Sequence, residues 1–596
     1  MLVKITAPPG IVTEVTDYTA GPRWIGCDKI RFRYSFPEVI GGYSKLTIEG
    51  TTTVTGAPRT MKAWRELDGL QNLAVGTATN LYLFQGSIAY NITPLRSDDA
   101  SLGTNAFAVA NTSTTVTVTH SSHGAKNGDI VIFAGATTTA GVPAGELNAE
   151  HVITYVNANS YTITVTTAGT SAAAGGGTSI TADYLINIGE EFATYGYGWG
   201  AATWGLSTWG TTRTTSQISL YSRIWSLDNW GEDLICTPGN GDETAYIWDS
   251  SAGTSTRPVA ISNAPTKVNH LLVSESRHLV ALGAHDGTAY DPMLIRWSSQ
   301  EDNTAWTASA TNTAGDKLLN TGNEIIAAKK ARGHIIVLTD TAAWSMQYIG
   351  PPFTFGFQQI GDTCGGIGPQ ALATIDNLGF WMGDDNFYVF DGSTKAIPCP
   401  IANHIFDDFN RVSGRNVQAF TLKEFNEVWW HYPSADSQEL DRYAIFNYKD
   451  NTWAFGTMER TAGIDRGTYS DPIWADASGN LYSHEKGLTA DGGVLAAYLE
   501  TGAFEVGQGD TLSYLDRLIP DTTLNSGRTV KATVYTRRYP NSSDITKGTY
   551  SVNSDTTKVS LRARGRQFRF RFENDDINNP WKLGVWRADI QPDGKR

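Results

Sequence analysis

Apolar residues along this chain come in short runs closed by polar turns rich in Gly, Asn and Asp, and they seldom recur at the three-to-four spacing of an amphipathic helix. The pattern predicts strands joined by tight turns. Only residues 60–66 and 402–409 carry a short helical signal.

One unit recurs: an apolar strand, a polar turn, and a second strand carrying aromatic residues. It begins with Asn72-Leu-Ala-Val-Gly and Leu81-Tyr-Leu-Phe-Gln-Gly and ends with Pro472-Ile-Trp-Ala and Asn480-Leu-Tyr-Ser-His, with five further pairs between. From Ala245 the second strands start at Met293, Ala343, Asn386, Tyr443 and Asn480, 37 to 57 residues apart. A four-stranded propeller blade takes about 40–50 residues. Seven units therefore predict an all-β fold with a seven-bladed β-propeller-like core, an array of sandwiches being the alternative.

The spacing breaks between Leu81 and Ala245. Residues 101–188 hold 17 Thr and neither Trp nor Arg, and stretches such as Thr115-Val-Thr-Val-Thr alternate like half-buried strands. This predicts a small β-domain inserted at an exposed blade loop. After it, residues 195–210 alternate glycine with Tyr195, Tyr197, Trp199, Trp204 and Trp209. These aromatics suit a strap between subunits, or a loop packed on its own propeller. The expected organisation is an N-terminal segment with the first blade over 1–100, the insert over 101–188, the remaining blades over 189–490, and a C-terminal β-sandwich-like domain over 491–596.

In that last domain the apolar positions are Val559, Leu561 and Ala563, then Phe568, Phe570 and Phe572, so the phase flips near Gly565. A bend there would keep both sets on one core and leave Lys558, Arg562, Arg564, Arg569 and Arg571 along the other face. That face is a candidate interface for an acidic partner or nucleic acid, and otherwise a solvated surface.

Charge changes the picture only when it is divided. The 596 residues carry −14 overall, but from Arg528 onward 15 Lys and Arg stand against 7 Asp and Glu, a net of +8, which leaves −22 on residues 1–527. A body of that sign does not adhere to DNA, although it would let a polyanion pass without sticking. The four cysteines form no CxxC pair, which argues against a disulfide framework or structural zinc. Neither a signal peptide nor a membrane span is expected.

Candidate chemistry is sparse. His120, His123 and His151 lack a nearby carboxylate of metal-site spacing, and no cofactor fingerprint is present, so no metal and no cofactor is expected. Cys364, among the glycines of residues 361–368, reads as a turn at a blade junction. A propeller glycosidase would need two converging carboxylates, for which Asp384 with Asp385, Asp407 with Asp408, and Glu424 with Glu427 are candidates. Turns recruit Asp for backbone reasons, and no catalytic set stands out.

Several motifs are similar to tail hub or nozzle proteins of short-tailed bacteriophages: Gly56-Ala-Pro-Arg-Thr-Met-Lys-Ala-Trp-Arg-Glu-Leu-Asp-Gly, Arg296-Trp-Ser-Ser-Gln-Glu-Asp-Asn-Thr-Ala-Trp, Phe387-Tyr-Val-Phe-Asp-Gly-Ser-Thr and the closing Asp589-Ile-Gln-Pro-Asp-Gly-Lys-Arg. The resemblance implies a virion structural protein, made in the host bacterial cytoplasm, without catalytic residues. It also implies a homohexameric ring at the distal end of the tail, partnered by a tail adaptor or tubular protein and by fibres or spikes. Such a ring retains packaged DNA and conducts it during ejection, without sequence-specific binding. A host-surface receptor-binding or glycan-degrading propeller is the alternative.

Overall fold

Runs that are apolar at nearly every position become strands covered on both faces, and in the computed structural model they form the middle of seven four-stranded antiparallel sheets. The structure describes residues 2–50, 53–186, 189, 191–193, 221–239, 243–505, 511–574 and 576–594. Blade 1 runs from strand Pro58–Arg65 to Ile88–Asn91, blade 2 from Ser226–Trp230 to Val259–Ala260, and blade 3 from Val268–Val273 to Gly315–Leu318. Blade 4 runs from Ile325–Ala331 to Thr354–Gly361, blade 5 from Leu372–Ile375 to Thr394–Ala396, and blade 6 from Gln418–Leu422 to Thr452–Thr457. Blade 7 supplies only three consecutive strands, Ala462–Ile464, Ile473–Ala475 and Leu481–His484. Its fourth, Tyr43–Lys45, comes from the N-terminal segment and pairs with Tyr482, Ser483 and His484.

The first strands of successive blades pack against one another, and blade 7 packs against blade 1, which closes the ring. The chain is thus an all-β protein with a seven-bladed propeller at its centre. The recurring sequence unit corresponds to the second and third strands of each blade. In blade 6 these are Glu427–Tyr432, buried throughout, and Arg442–Asn447, buried but for its first residue. Residues 60–65 are in a strand, not the expected helix, and Glu66 follows it. They belong to the first strand of blade 1, where the neighbouring blades cover both faces and erase the alternation. The second helical signal holds, over Ala402–Asp407.

The insert leaves after blade 1. Leu95 is paired with Leu185, and the Ile186 N–H donates to the Pro94 carbonyl, so its two ends lie side by side. Between them nine strands form two sheets around their own core, which includes Phe107, Val118, Val131, Phe133, Tyr161 and Tyr184. The pairing starts at Leu95, ahead of the boundary expected at 101, because Arg96–Ser101 carries little apolar signal.

The second large domain is not made of C-terminal residues alone. Leu2–Ile5 pairs with Trp586–Pro592, Trp24–Asp28 pairs with Ala497–Thr501, and Phe36–Val39 pairs with Trp581–Leu583. Residues 2–39 therefore complete it, rather than joining blade 1 in a 1–100 unit. At Gly565 the chain passes from the sheet of Val559–Gly565 to that of Gln567–Asn574. Both apolar sets then face one core. Strands Trp24–Asp28 and Ile30–Arg33 also pack on the outer strand of blade 6, joining the two domains.

Candidate functional site

The basic residues expected on one face are divided by the turn at Gly565. Lys558, Arg562 and Arg564 lie at or along Val559–Gly565 and are exposed, whereas Arg569 and Arg571 lie on the other sheet and are half-buried. Local acids engage the second pair. Arg569 meets Glu500 and, at 2.8 Å, Asp544, and Arg571 meets Glu500 at 3.0 Å and Glu573 at 2.7 Å. Arg564 is bound to Asp593. A single continuous cationic face is therefore not formed. The aromatics Tyr195, Tyr197, Trp199, Trp204 and Trp209 lie outside the described residues.

The carboxylate pairs do not converge. Arg411 donates to the Asp384 carbonyl at 2.8 Å and to Asp385 Oδ1 at 2.9 Å. Asp408 pairs with Arg442 at 3.2 Å while Asp407 is exposed at the end of its helix. Glu424 pairs with Arg466 at 2.5 Å, and Glu427 points inward to a different set of partners. Arg31, from the N-terminal segment, is 1% exposed; its Nε lies 3.2 Å from Glu427, and its Nη atoms bond Glu485 at 2.9 and 2.6 Å. Burial outweighs Arg31 and pushes the Glu427 carboxyl up to about 7.

The three histidines of the insert are also held separately. His120 Nδ1 is 2.6 Å from the Tyr184 hydroxyl, His123 Nε2 is 2.8 Å from the Asn157 carbonyl, and His151 Nε2 is 2.9 Å from the Glu146 carbonyl. Among the described residues one trio of metal-ligating side chains comes together, Asp98, Asp99 and Asp183, all solvent-accessible. Cys364 lies where blade 4 passes into blade 5, and burial pushes its thiol up to about 11. A Cβ on the next residue, Gly365, would sit 2.0 Å from the Asp340 carbonyl oxygen, which explains the glycine in that turn.

The chemistry that sequence reasoning missed lies at the centre of the propeller. At the end where the first strands begin, the short 3-10 helix Arg411–Asn416 ties together residues leading into several blades. Asn416 accepts from Ser222, ahead of blade 2; Arg415 pairs with Glu324, ahead of blade 4; and the Arg415 guanidinium lies 3.7 Å from the Tyr221 ring centroid. The helix leads into blade 6, which lies three blades from blade 2 in a ring of seven, so these contacts cross its mouth. Arg59, fully buried, adds a two-pronged pair with Glu439 at 2.6 and 2.7 Å.

At the other end, Asp228 on blade 2 binds Lys62 of blade 1 and Lys330 of blade 4, each at 2.7 Å, and its Oδ2 accepts the Val273 N–H of blade 3 at 2.8 Å. Burial alone would raise its pKa, but the two lysines hold Asp228 down to about 2. Lys329 precedes Lys330 on the same strand. A cavity of about 390 Å³ opens beside them, with Asn229, Ser274, Glu275, Arg277 and Lys330 in its walls. The only trace of this cluster in the sequence is a pair of lysines ending the apolar run Ile325-Ile-Ala-Ala.

Neither a protein-family model nor a curated protein matches the chain. Solved structures do. BamB from Moraxella catarrhalis is 12% identical over 47% of this chain and 79% of its own, with a TM-score of 0.26. The N-terminal domain of Nup159 is 11% identical over 43% and 74%, with a TM-score of 0.26. A glycoside hydrolase family 43 arabinoxylan arabinofuranohydrolase from Bacillus subtilis is 12% identical over 83% and 97%, with a TM-score of 0.21. At such identities no residue role passes from these proteins to this one.

Proposed function

We propose that the protein is a structural component of a short-tailed phage virion, one protomer of the homohexameric nozzle or hub ring at the distal end of the tail. The observation that carries this reading is the state of the propeller's carboxylates. Asp385, Asp408, Glu424 and Glu427 each hold an arginine, the arrangement of carboxylates that fasten turns and joints rather than of a free acid and base pair. Sequence motifs similar to those of nozzle proteins support the same reading.

The propeller's own channel is not the DNA path in this proposal. Ion pairs of 2.7 Å bridge it from blade 1 through blade 2 to blade 4, whereas the major groove of a duplex is already about 12 Å wide. DNA would run through the space enclosed by six protomers. Adaptor and fibre proteins would then dock on the outer surfaces. The test is native mass spectrometry with electron microscopy of the full chain and of virions. A sixfold ring with a central hole supports the proposal, and a monomer within assembled virions refutes it. Turnover of host polysaccharide, abolished by Asp384→Asn or Asp385→Asn, would establish the glycan-degrading alternative instead.

A further inference from the structure

In each blade the turn between the first two strands and the turn between the last two open at the same end of the propeller, opposite the Arg411–Asn416 closure. Among the described residues, three tips at this end each expose two or more large apolar side chains. The first turn of blade 1 presents Leu67, 96% exposed, and Leu70. The last turn of blade 4 presents Ile349 and Phe353 around two exposed prolines, in a stretch without a charged residue between Asp340 and Asp362. The third tip is the N-terminal hairpin turn, with Tyr34, 73% exposed, and Phe36. It reaches the same end beside blade 6, where the Phe32 carbonyl accepts from Asn447 and Arg33 lies 5.1 Å from the Phe425 ring centroid.

We propose that this end of the propeller docks on a phospholipid surface, with the three tips sunk into the boundary between headgroups and acyl chains. Large apolar side chains on a soluble surface are ordinarily scattered singly, whereas these are gathered at turns, where polar residues are the rule. The tips are convex and stand two or three blades apart around the ring, so the partner must be broad and accept apolar groups at separated points. A fluid lipid surface does so without preformed pockets. Charge fits the same partner. Arg33 stands 5.3 Å from the Tyr34 ring centroid and meets Glu38 only at 4.0 Å. Arg65, exposed beside Leu67, donates its Nε to the Gly69 carbonyl and has further donors for a lipid phosphate. The acids flanking Leu67 are engaged locally, Glu66 by the Asn72 amide and Asp68 by the Leu70 N–H. Tyr34 also holds a left-handed φ of +52°, where Asn or Gly would fit at less cost, so an aromatic ring is kept at that tip against backbone preference. The inference concerns the surface of one chain and is independent of the tail assignment.

The experiment is flotation of the full chain with vesicles of phosphatidylethanolamine and phosphatidylglycerol, paired with thermal unfolding and with native mass spectrometry in the absence of lipid. The wild type should float with the vesicles and still do so at about 0.5 M salt, since apolar insertion is not screened. Leu67→Ser and Phe353→Ser should each weaken partitioning by about tenfold and melt with the wild type. Val156→Ser, which alters an equally exposed apolar residue on the insert, should float unchanged. The proposal is overturned if the wild type does not float, if salt abolishes flotation, if both tip variants float as the wild type does, or if both lose the fold. It is also overturned if Val156→Ser weakens flotation as much as they do, or if the tip variants dissociate an oligomer that the wild type forms without lipid, because the tips would then seat a second copy. Absence of a sixfold ring would count against the tail assignment and leave the flotation result standing.

Discussion

Replacing Arg31 by methionine tests how the second domain is fastened to the propeller. The guanidinium is 1% exposed and answers two carboxylates, Glu427 from blade 6 and Glu485 from the end of blade 7, while stacking 3.7 Å from the Phe425 ring centroid. Methionine keeps much of the packing volume and removes the charge. Breaking a buried pair by deleting one partner costs about 3–5 kcal/mol, because a charge is left buried and alone. That is a large share of a stability of about 5–15 kcal/mol. The cost should depend on pH with a definite sign. The folded-state pKa of Glu427 lies above its unfolded value even with Arg31 present, so its protonated form favours the fold at low pH and that contribution is lost as pH rises toward about 7. Without Arg31 the folded-state pKa climbs further, and the penalty grows from pH 5 to pH 8. Denaturation by urea at both pH values, followed by tryptophan fluorescence, should show a larger midpoint deficit at pH 8, and Arg31→Met with Glu427→Gln should recover most of it. A loss below about 1 kcal/mol at pH 8, or equal losses at the two pH values, would refute the reasoning.

Three other perturbations address the frame. Leu46→Pro removes the N–H that donates to the Leu481 carbonyl at 2.7 Å beside the ring-closing strand, and should cost about 1–3 kcal/mol, with hydrogen exchange rising at Leu481–His484. Gly76→Ala would place a Cβ 2.6 Å from the fully buried Trp225, so the melting midpoint should fall by the equivalent of about 1–3 kcal/mol, a change read by calorimetry. Joining Leu95 to Leu185 through a short Gly-Ser linker should leave the propeller folded, and the excised segment should give a near-ultraviolet circular dichroism signal of its own. An unfolded segment would show that its core depends on the propeller.

The parts of the fold legible in the sequence share one physical property. Second and third blade strands are covered on both faces and hydrogen-bonded on both edges, so burial forces them to be apolar throughout, as in Glu427–Tyr432. Outer strands lie at the rim and carry little signal: Val259–Ala260 and Gly315–Leu318 are largely exposed. The strands that complete the second domain are invisible for another reason. Leu2–Ile5 meets Trp586–Pro592 at the far end of the chain, and no local periodicity encodes a partner so distant. The closure of blade 7 by Tyr43–Lys45 is hidden in the same way. The central cluster combines both difficulties, since Lys62, Asp228 and Lys330 lie on three separate strands and acquire meaning only when the ring closes.

The charge division survives assembly in weaker form. Residues 1–39, which join the second domain, carry five Lys and Arg against four Asp and Glu, and residues 497–527 carry one against five. With the +8 of residues 528–596 the assembled domain stands at +5, leaving −19 on the rest of the chain. Asp17 and Glu500, both from the added segments, are among the acids that engage Arg537, Arg569 and Arg571. The buried share of the positive charge therefore stabilises the joint between sheets, and Lys558 and Arg562 remain on the exposed face of Val559–Gly565. Any electrostatic contact with an acidic neighbour must rest on those two rather than on all five. Under the proposed tail function, replacing Lys558 and Arg562 by glutamine should weaken ring contacts in native mass spectrometry without lowering the melting midpoint, whereas replacing Arg569 should lower the midpoint.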